Sequence, residues 1–264
     1  VGKLDFTNGI STTRYIDLND STKDVTKGAN AGKNPLGLVI RNDKAFVMNY
    51  VSRNVSIVDL NSDSVTAVLK LTNLPSPASP DEQIQVGKEM FFSSRGVFDG
   101  GKVNRLSSEG WQNCASCHFA GLTDGNIWTF NSGPRKSVPL NGTWSPHNPD
   151  DQRLLNYSAI FDEVQDFELN IRNVSGPGPL SAGPPVVFDP NHGLIISDTG
   201  SIDAAPAAVP PLIPIANAGR KQLTVTLPGS SKPWPALDSL KEWVRFNIRT
   251  PNGALTTDEL TTGG

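Results

Sequence analysis

The chain of 264 residues holds two cysteines, and both fall in "WQNCASCHFAGLTDG" (111–125), where Cys114 and Cys117 are followed at once by His118. Residues of these types at this spacing serve as a haem attachment point, a redox dithiol or half of a zinc site. A thioredoxin-type dithiol needs its Cys-x-x-Cys at a helix start directly after a buried strand. The preceding stretch, "SSRGVFDGGKVNRLSSEGWQN" (93–113), is polar and glycine-rich and reads as lacking one. Structural zinc takes four ligands, and beyond the two thiolates only His118, His147 and His192 are on offer, with Cys117 and His118 adjacent and poorly placed to bind jointly. Covalent haem gives every residue of the motif a role. Two cysteines one helical turn apart form thioethers with the two vinyl groups, and the next imidazole turns beneath the iron. The expectation is therefore one covalent haem c on Cys114 and Cys117, with His118 as proximal iron ligand. Attachment of this kind takes place outside the cytoplasm, so a periplasmic or extracellular protein is expected. Val1 is not an initiator methionine, which fits a chain processed or cut from something longer.

The sixth iron position decides between electron transfer and ligand chemistry. Its candidates are His147, His192, Met48 and Met90. Met48 lies in a strand pattern and Met90 on the apolar face of a helix, where a thioether fills core. His192, in "FDPNHGLIISDTG", precedes an apolar run that can hold it against a buried cofactor and is the preferred distal ligand; His147, in the polar loop "GTWSPHNPDD", is the alternative. Bis-histidine iron passes electrons rather than binding peroxide. Arg135 is placed to pair with a haem propionate, because a guanidinium stays charged and forks onto carboxylates. Trp111, Trp128, Trp144 and Phe130 are expected to wall the apolar faces of the ring. The acidic pairs Asp162–Glu163 and Asp166–Glu168 read as a solvated helix face, since no calcium loop accompanies them.

Around this motif the elements divide in two. "LGLVI" (36–40), "KAFVMNYV" (44–51), "NVSIVDL" (54–60) and "SVTAVLKL" (64–71) are short, β-branched and separated by turn residues, which predicts a four-stranded antiparallel meander. "YIDLND" (15–20) echoes "IVDLNS" (57–62) at an offset of 42, within the roughly 40–45-residue period of propeller blades. Then "SPDE" (79–82) offers a cap, a first-turn proline and an acid three residues after the serine, which predicts a helix over 80–92. Leu237, Leu240, Trp243, Val244 and Ile248 predict a second amphipathic helix over 236–249. Residues 151–174 read as one or two short helices, and the proline- and glycine-rich stretch after residue 174 as covering loop. The fold class expected is mixed: partial propeller blades over 1–75, then a mainly α, loop-rich cytochrome domain over 76–264. With 23 basic against 26 acidic residues and a formal net charge of -3, no positive excess exists to neutralise phosphates, so nucleic acid is excluded as a partner. No run approaches the roughly 18 apolar residues of a membrane span.

"VGKEMFF" (86–92), "RLS" (105–107), "CASCH", "GPR" (133–135) and "LNYSAIFDEVQDFE" (155–168) occur in the order seen in the N-terminal haem domain of bacterial dihaem cytochrome c peroxidases and their MauG-like relatives. The chain resembles that superfamily over about 80–175, and its first part resembles YVTN-type propellers in the form "FVMNYVSRNVSIVDL". The resemblance implies a second haem and a histidine shortly before "GPR". This chain has one Cys-x-x-Cys-His and reads "IWTFNSGPR", with Trp128 near that place. The function expected is electron relay between redox partner proteins. A peroxide-reducing enzyme with its second haem elsewhere, and a propeller-based binding module with an accessory haem, are the alternatives. Another haem domain or a second copy of the chain are further expected partners.

Overall fold

The computed structural model describes residues 2–5, 12–18, 32–110, 112–130, 133–145, 148, 150–168, 170–176, 189, 192–195, 208–209, 213–214 and 221–248. His147 and Trp111 lie outside the described residues. Strands β1 (Gly2–Asp5) and β2 (Thr12–Tyr15) form an antiparallel hairpin. They precede the four-stranded antiparallel meander of β3 (Pro35–Arg41), β4 (Lys44–Asn49), β5 (Asn54–Asp59) and β6 (Ser64–Lys70). The strands fall where the β-branched runs and the turn residues between them placed them. On β4 and β5, Ala45, Val47, Ser56 and Val58 point to one face and are buried with Ile16 and Leu18. Along the β3 edge, Leu36, Leu38, Val39 and Ile40 are exposed, so apolar side chains emerge on both faces of the sheet. Met48 is exposed rather than the core filler its strand position implied.

Helix α1 (Pro80–Phe92) begins as the sequence predicts: the Ser79 hydroxyl accepts from Glu82 N at 3.2 Å, and Pro80 opens the first turn. The capping box closes differently. Glu82 Oε2 accepts from Ala78 N at 2.7 Å and from Trp234 Nε1 at 2.8 Å, which ties the helix start to a segment 152 residues away. Two short ribbons follow: β7 (Arg95–Phe98) with β8 (Lys102–Arg105), and, after helix α2 (Cys114–Cys117), β9 (Ile127–Phe130) with β10 (Gly133–Lys136). The 93–113 stretch thus contains a hairpin where the sequence reading had none. It is a two-stranded ribbon, bridged at Arg105 to His192, and not a strand of a central sheet. Between 164 and 174 the described residues form a 3-10 turn and one wide helical turn, and Asp166 and Glu168, expected on a solvated helix face, are buried instead. The pairs β11 (Ala208–Val209) with β12 (Ile213–Pro214) and β13 (Thr224–Val225) with β14 (Trp234–Pro235) lead to α3 (Ala236–Asn247). The class is therefore mixed, a β meander followed by a few helices and much loop. Among the described residues no helix is long and apolar enough to cross a membrane.

The main core forms where α1 meets α3, with Val86, Met90 and Phe91 packed in one cluster with Leu237, Leu240 and Val244. Close approach depends on Gly87, where an added Cβ would meet Ser239 O at 1.9 Å and Trp243 Cβ at 2.8 Å. The same helix docks onto the meander by polar bonds. Gln85 Nε2 donates to Val51 O and Lys88 Nζ to Tyr50 O, each at 2.9 Å, and Lys33 pairs with Glu89. Burial of the Lys88 ammonium, 3.4 Å above the Tyr50 ring, pulls its pKa down to about 8.

Candidate functional site

Helix α2 is one turn long, and its start is built by Asn113. The Asn113 side-chain oxygen accepts from Ser116 N at 3.0 Å, while Ser116 Oγ accepts from Asn113 N at 3.2 Å, a reciprocal capping box. Asn113 Nδ2 also donates to Phe92 O at 3.1 Å, which hangs the turn from the end of α1. Cys114 and Cys117, three apart on this turn, share a face. His118 closes it, its N–H donating to Cys114 O at 2.9 Å. The chain then reverses through Gly121, at φ +77°, where a Cβ would stand 2.5 Å from Ile248 Cγ2, so both conformation and space require glycine.

Cys114, Cys117 and His118 open into one cavity of about 730 Å³. That volume lies within the roughly 300–1,000 Å³ of cofactor sites. Phe91, Leu106, Leu140, Val164, Leu240 and Val244 contribute apolar wall. Trp128 and Phe130, on the same side of β9, also line it, and Arg135 sits across the ribbon from Trp128. Trp128 is held by donating Nε1 to Asp124 Oδ2 at 2.7 Å. Three cations, Arg135, Lys136 and Arg153, line the cavity, and no Asp or Glu does among the described residues, although the chain as a whole is net negative. Such a chamber fits a flat apolar ring that carries carboxylates at one edge.

Burial sets the protonation state of the motif's side chains. Burial pushes the Cys114 thiol up to about 11 and raises that of Cys117, which favours the neutral thiol at both. No disulfide joins the two cysteines. Among the described residues no group of three or more His, Cys, Asp or Glu side chains converges as a structural zinc site demands. Burial lowers the His118 pKa, against the hydrogen bonds of the Leu122 and Val138 carbonyls. Nδ1 lies 3.3 Å from Leu122 O. A carbonyl only accepts, so the ring proton belongs on Nδ1 in that contact.

His192 is elsewhere. It is buried at 2 % exposure, with Nδ1 3.1 Å from Asp189 Oδ2 and Nε2 3.0 Å from Ser107 O. Both ring nitrogens are engaged, and the residue is not among those lining the cavity. Met90 and Trp144 are likewise core residues away from the lining. The structure thus brings together Cys114, Cys117, His118, Trp128, Phe130 and Arg135 and leaves His192 outside the group. Lys136, Arg153 and Tyr157 join the lining without having been read as site residues; nothing local in "GPRKS" or "DQRLLNYS" separates them from solvated surface. Asn113 was not read as a site residue either, although an Asn directly before a helix start is an N-cap signal. No protein-family model, curated protein or solved structure matches the chain.

Proposed function

We propose that this protein is an exported c-type cytochrome that relays electrons through a single haem c held covalently by Cys114 and Cys117, with His118 as the iron ligand. The observation that carries the reading is the convergence of both thiols and the imidazole in one apolar cavity whose only charged described lining residues are cations. When bound, haem supplies a one-electron iron couple. The protein's own residues do the rest. The capped turn of α2 holds the two sulfurs on one face, the Leu122 carbonyl orients the His118 ring, and the aromatic pair on β9 covers part of the cavity. Arg135, Lys136 and Arg153 are suited to pair with propionates and to favour the reduced, less positive centre.

Relay is preferred to peroxide reduction because the described lining has no carboxylate and no imidazole beyond His118, the groups that most often move protons in O–O cleavage. Membership of the dihaem peroxidase and MauG-like superfamily rests on the motif order in the sequence. For the first part we read β3–β6 as one propeller blade. The β1–β2 hairpin stands 42 residues before β4–β5, matching the sequence echo, and the exposed apolar residues of the β3 edge suit a sheet packed between neighbours. Redox proteins, another haem domain or a second copy are the partners this reading implies. The ferric optical spectrum with and without hydrogen peroxide tests the relay. Slow, stoichiometrically incomplete reaction is expected, and rapid turnover of peroxide by the chain alone would replace relay with catalysis.

A further inference from the structure

We propose that Gln112 is a positioning residue for haem attachment at Cys117, and that Ser107 and His192 form the brace that holds it; the inference rests on the haem reading. Gln112 is buried, and its Nε2 donates to Cys117 Sγ at 3.0 Å. Its backbone is clamped on both sides of one hydroxyl: Gln112 N donates to Ser107 Oγ at 3.0 Å, and Ser107 Oγ donates to Gln112 O at 2.6 Å. Ser107 in turn offers its carbonyl to His192 Nε2 at 3.0 Å. His192 is fixed by Asp189, whose Oδ2 also takes Arg105 Nη2 at 2.7 Å. Asn104 Nδ2 donates to Gly193 O at 2.9 Å, and Glu168 accepts from Leu194 N at 2.9 Å. A continuous chain of buried and part-buried hydrogen bonds therefore runs from Asp189 and His192 to the second sulfur of the motif.

The two cysteines are not equivalent in this respect. Cys114 opens α2 and follows the Asn113 cap directly, whereas the Cys117 sulfur has a side-chain donor aimed at it. Attachment at Cys117 is an addition with no net redox change. The Sγ–H bond breaks, Sγ bonds to the inner carbon of a vinyl group, and the proton ends on the outer carbon, which becomes a methyl. No atom leaves. The rate of such a step depends steeply on where sulfur stands, with misplacement by about 1 Å costing on the order of 100-fold. Gln112 supplies that placement through its side-chain amide, which donates to Sγ.

The test is made on exported, haem-loaded protein. Wild type, Gln112→Leu and Gln112→Glu are denatured, alkylated and mapped by mass, and the reduced pyridine haemochrome is recorded. Wild type is expected to show no alkylatable thiol. Both variants are expected to load haem yet keep a free thiol at Cys117 alone, with the α band moved to longer wavelength by the surviving vinyl group. Loss of attachment on the order of 100-fold in rate at Cys117, with Cys114 unaffected, separates positioning from a general structural defect, which would lower loading at both cysteines. Gln112→Glu keeps the side-chain volume and is read if Gln112→Leu fails to fold. Two thioethers and an unshifted band in the variants overturn the proposal. A wild-type protein with two alkylatable thiols and no haem overturns the haem reading along with it, and is told apart from the former result by the wild-type sample alone.

Discussion

Glu168→Ala removes the acceptor at the centre of the buried network behind the cavity. Glu168 Oε1 takes Arg172 Nε at 2.8 Å and Nη2 at 2.7 Å, and the carboxylate also takes Leu194 N at 2.9 Å and Ile195 N at 3.2 Å. Both side chains of the pair are almost wholly buried, at 3 % and 5 % exposure, so alanine removes the carboxylate that faces the guanidinium and takes the acceptor from two amides. Breaking one partner of such a pair costs about 3–5 kcal/mol, and the orphaned amides keep the loss near the upper end. For a chain of this size that corresponds to a fall in Tm of roughly 6–20 °C. Arg172→Met alone strands the carboxylate and is expected to cost about as much, while the double variant loses clearly less than the two singles together. Thermal unfolding of the four proteins by circular dichroism gives these values. A fall under about 2 °C for Glu168→Ala, or strict additivity in the double variant, would refute the reasoning that this pair holds the 192–195 segment against the cavity wall.

Other perturbations read other parts of the structure. Gly87→Ala forces a methyl into the Ser239 carbonyl and is expected to abolish cooperative unfolding or lower stability by more than about 3 kcal/mol, measured by urea titration. Lys88 binds a proton less readily folded, with a pKa near 8, than unfolded, near 10.5; between those values the unfolded chain holds more protons, so stability rises with pH across that window and is flat there in Lys88→Met. Arg153→Gln removes one cation from the cavity lining and is expected to lower the haem midpoint potential by up to about 40 mV, a shift that shrinks as salt is added. His192→Ala is expected to leave the iron's spin state unchanged, because its ring nitrogens bond Asp189 and Ser107 instead; a change from low to high spin would restore it as a ligand.

How far the sequence reached follows from the range of each signal. The strands β3 to β6 and the helices α1 and α3 announce themselves through local period and local caps, and their boundaries shift by only one or two residues. The motif at 114–118 is equally local. His192 shows the limit of such reading: the apolar run "LII" signalled burial, and the residue is buried, but its contacts with Asp189 and with Ser107, 85 positions away, depend on how loops without periodicity pack. Arg153 and Lys136 were invisible for the same reason, since a surface arginine and one at a cavity mouth look alike in a string of residues. The hairpin β7–β8 was missed because glycines and charges at 95–105 dilute the alternation that marks a strand.

Most directly, the account is tested by the intact mass of the denatured protein recovered from an exporting host that attaches haem. The result in keeping with it is a single species at the mass of the 28.3 kDa chain plus one haem, lost in Cys114→Ala/Cys117→Ala. Bare chain mass with both thiols free, from protein whose far-ultraviolet spectrum shows it folded, would contradict it.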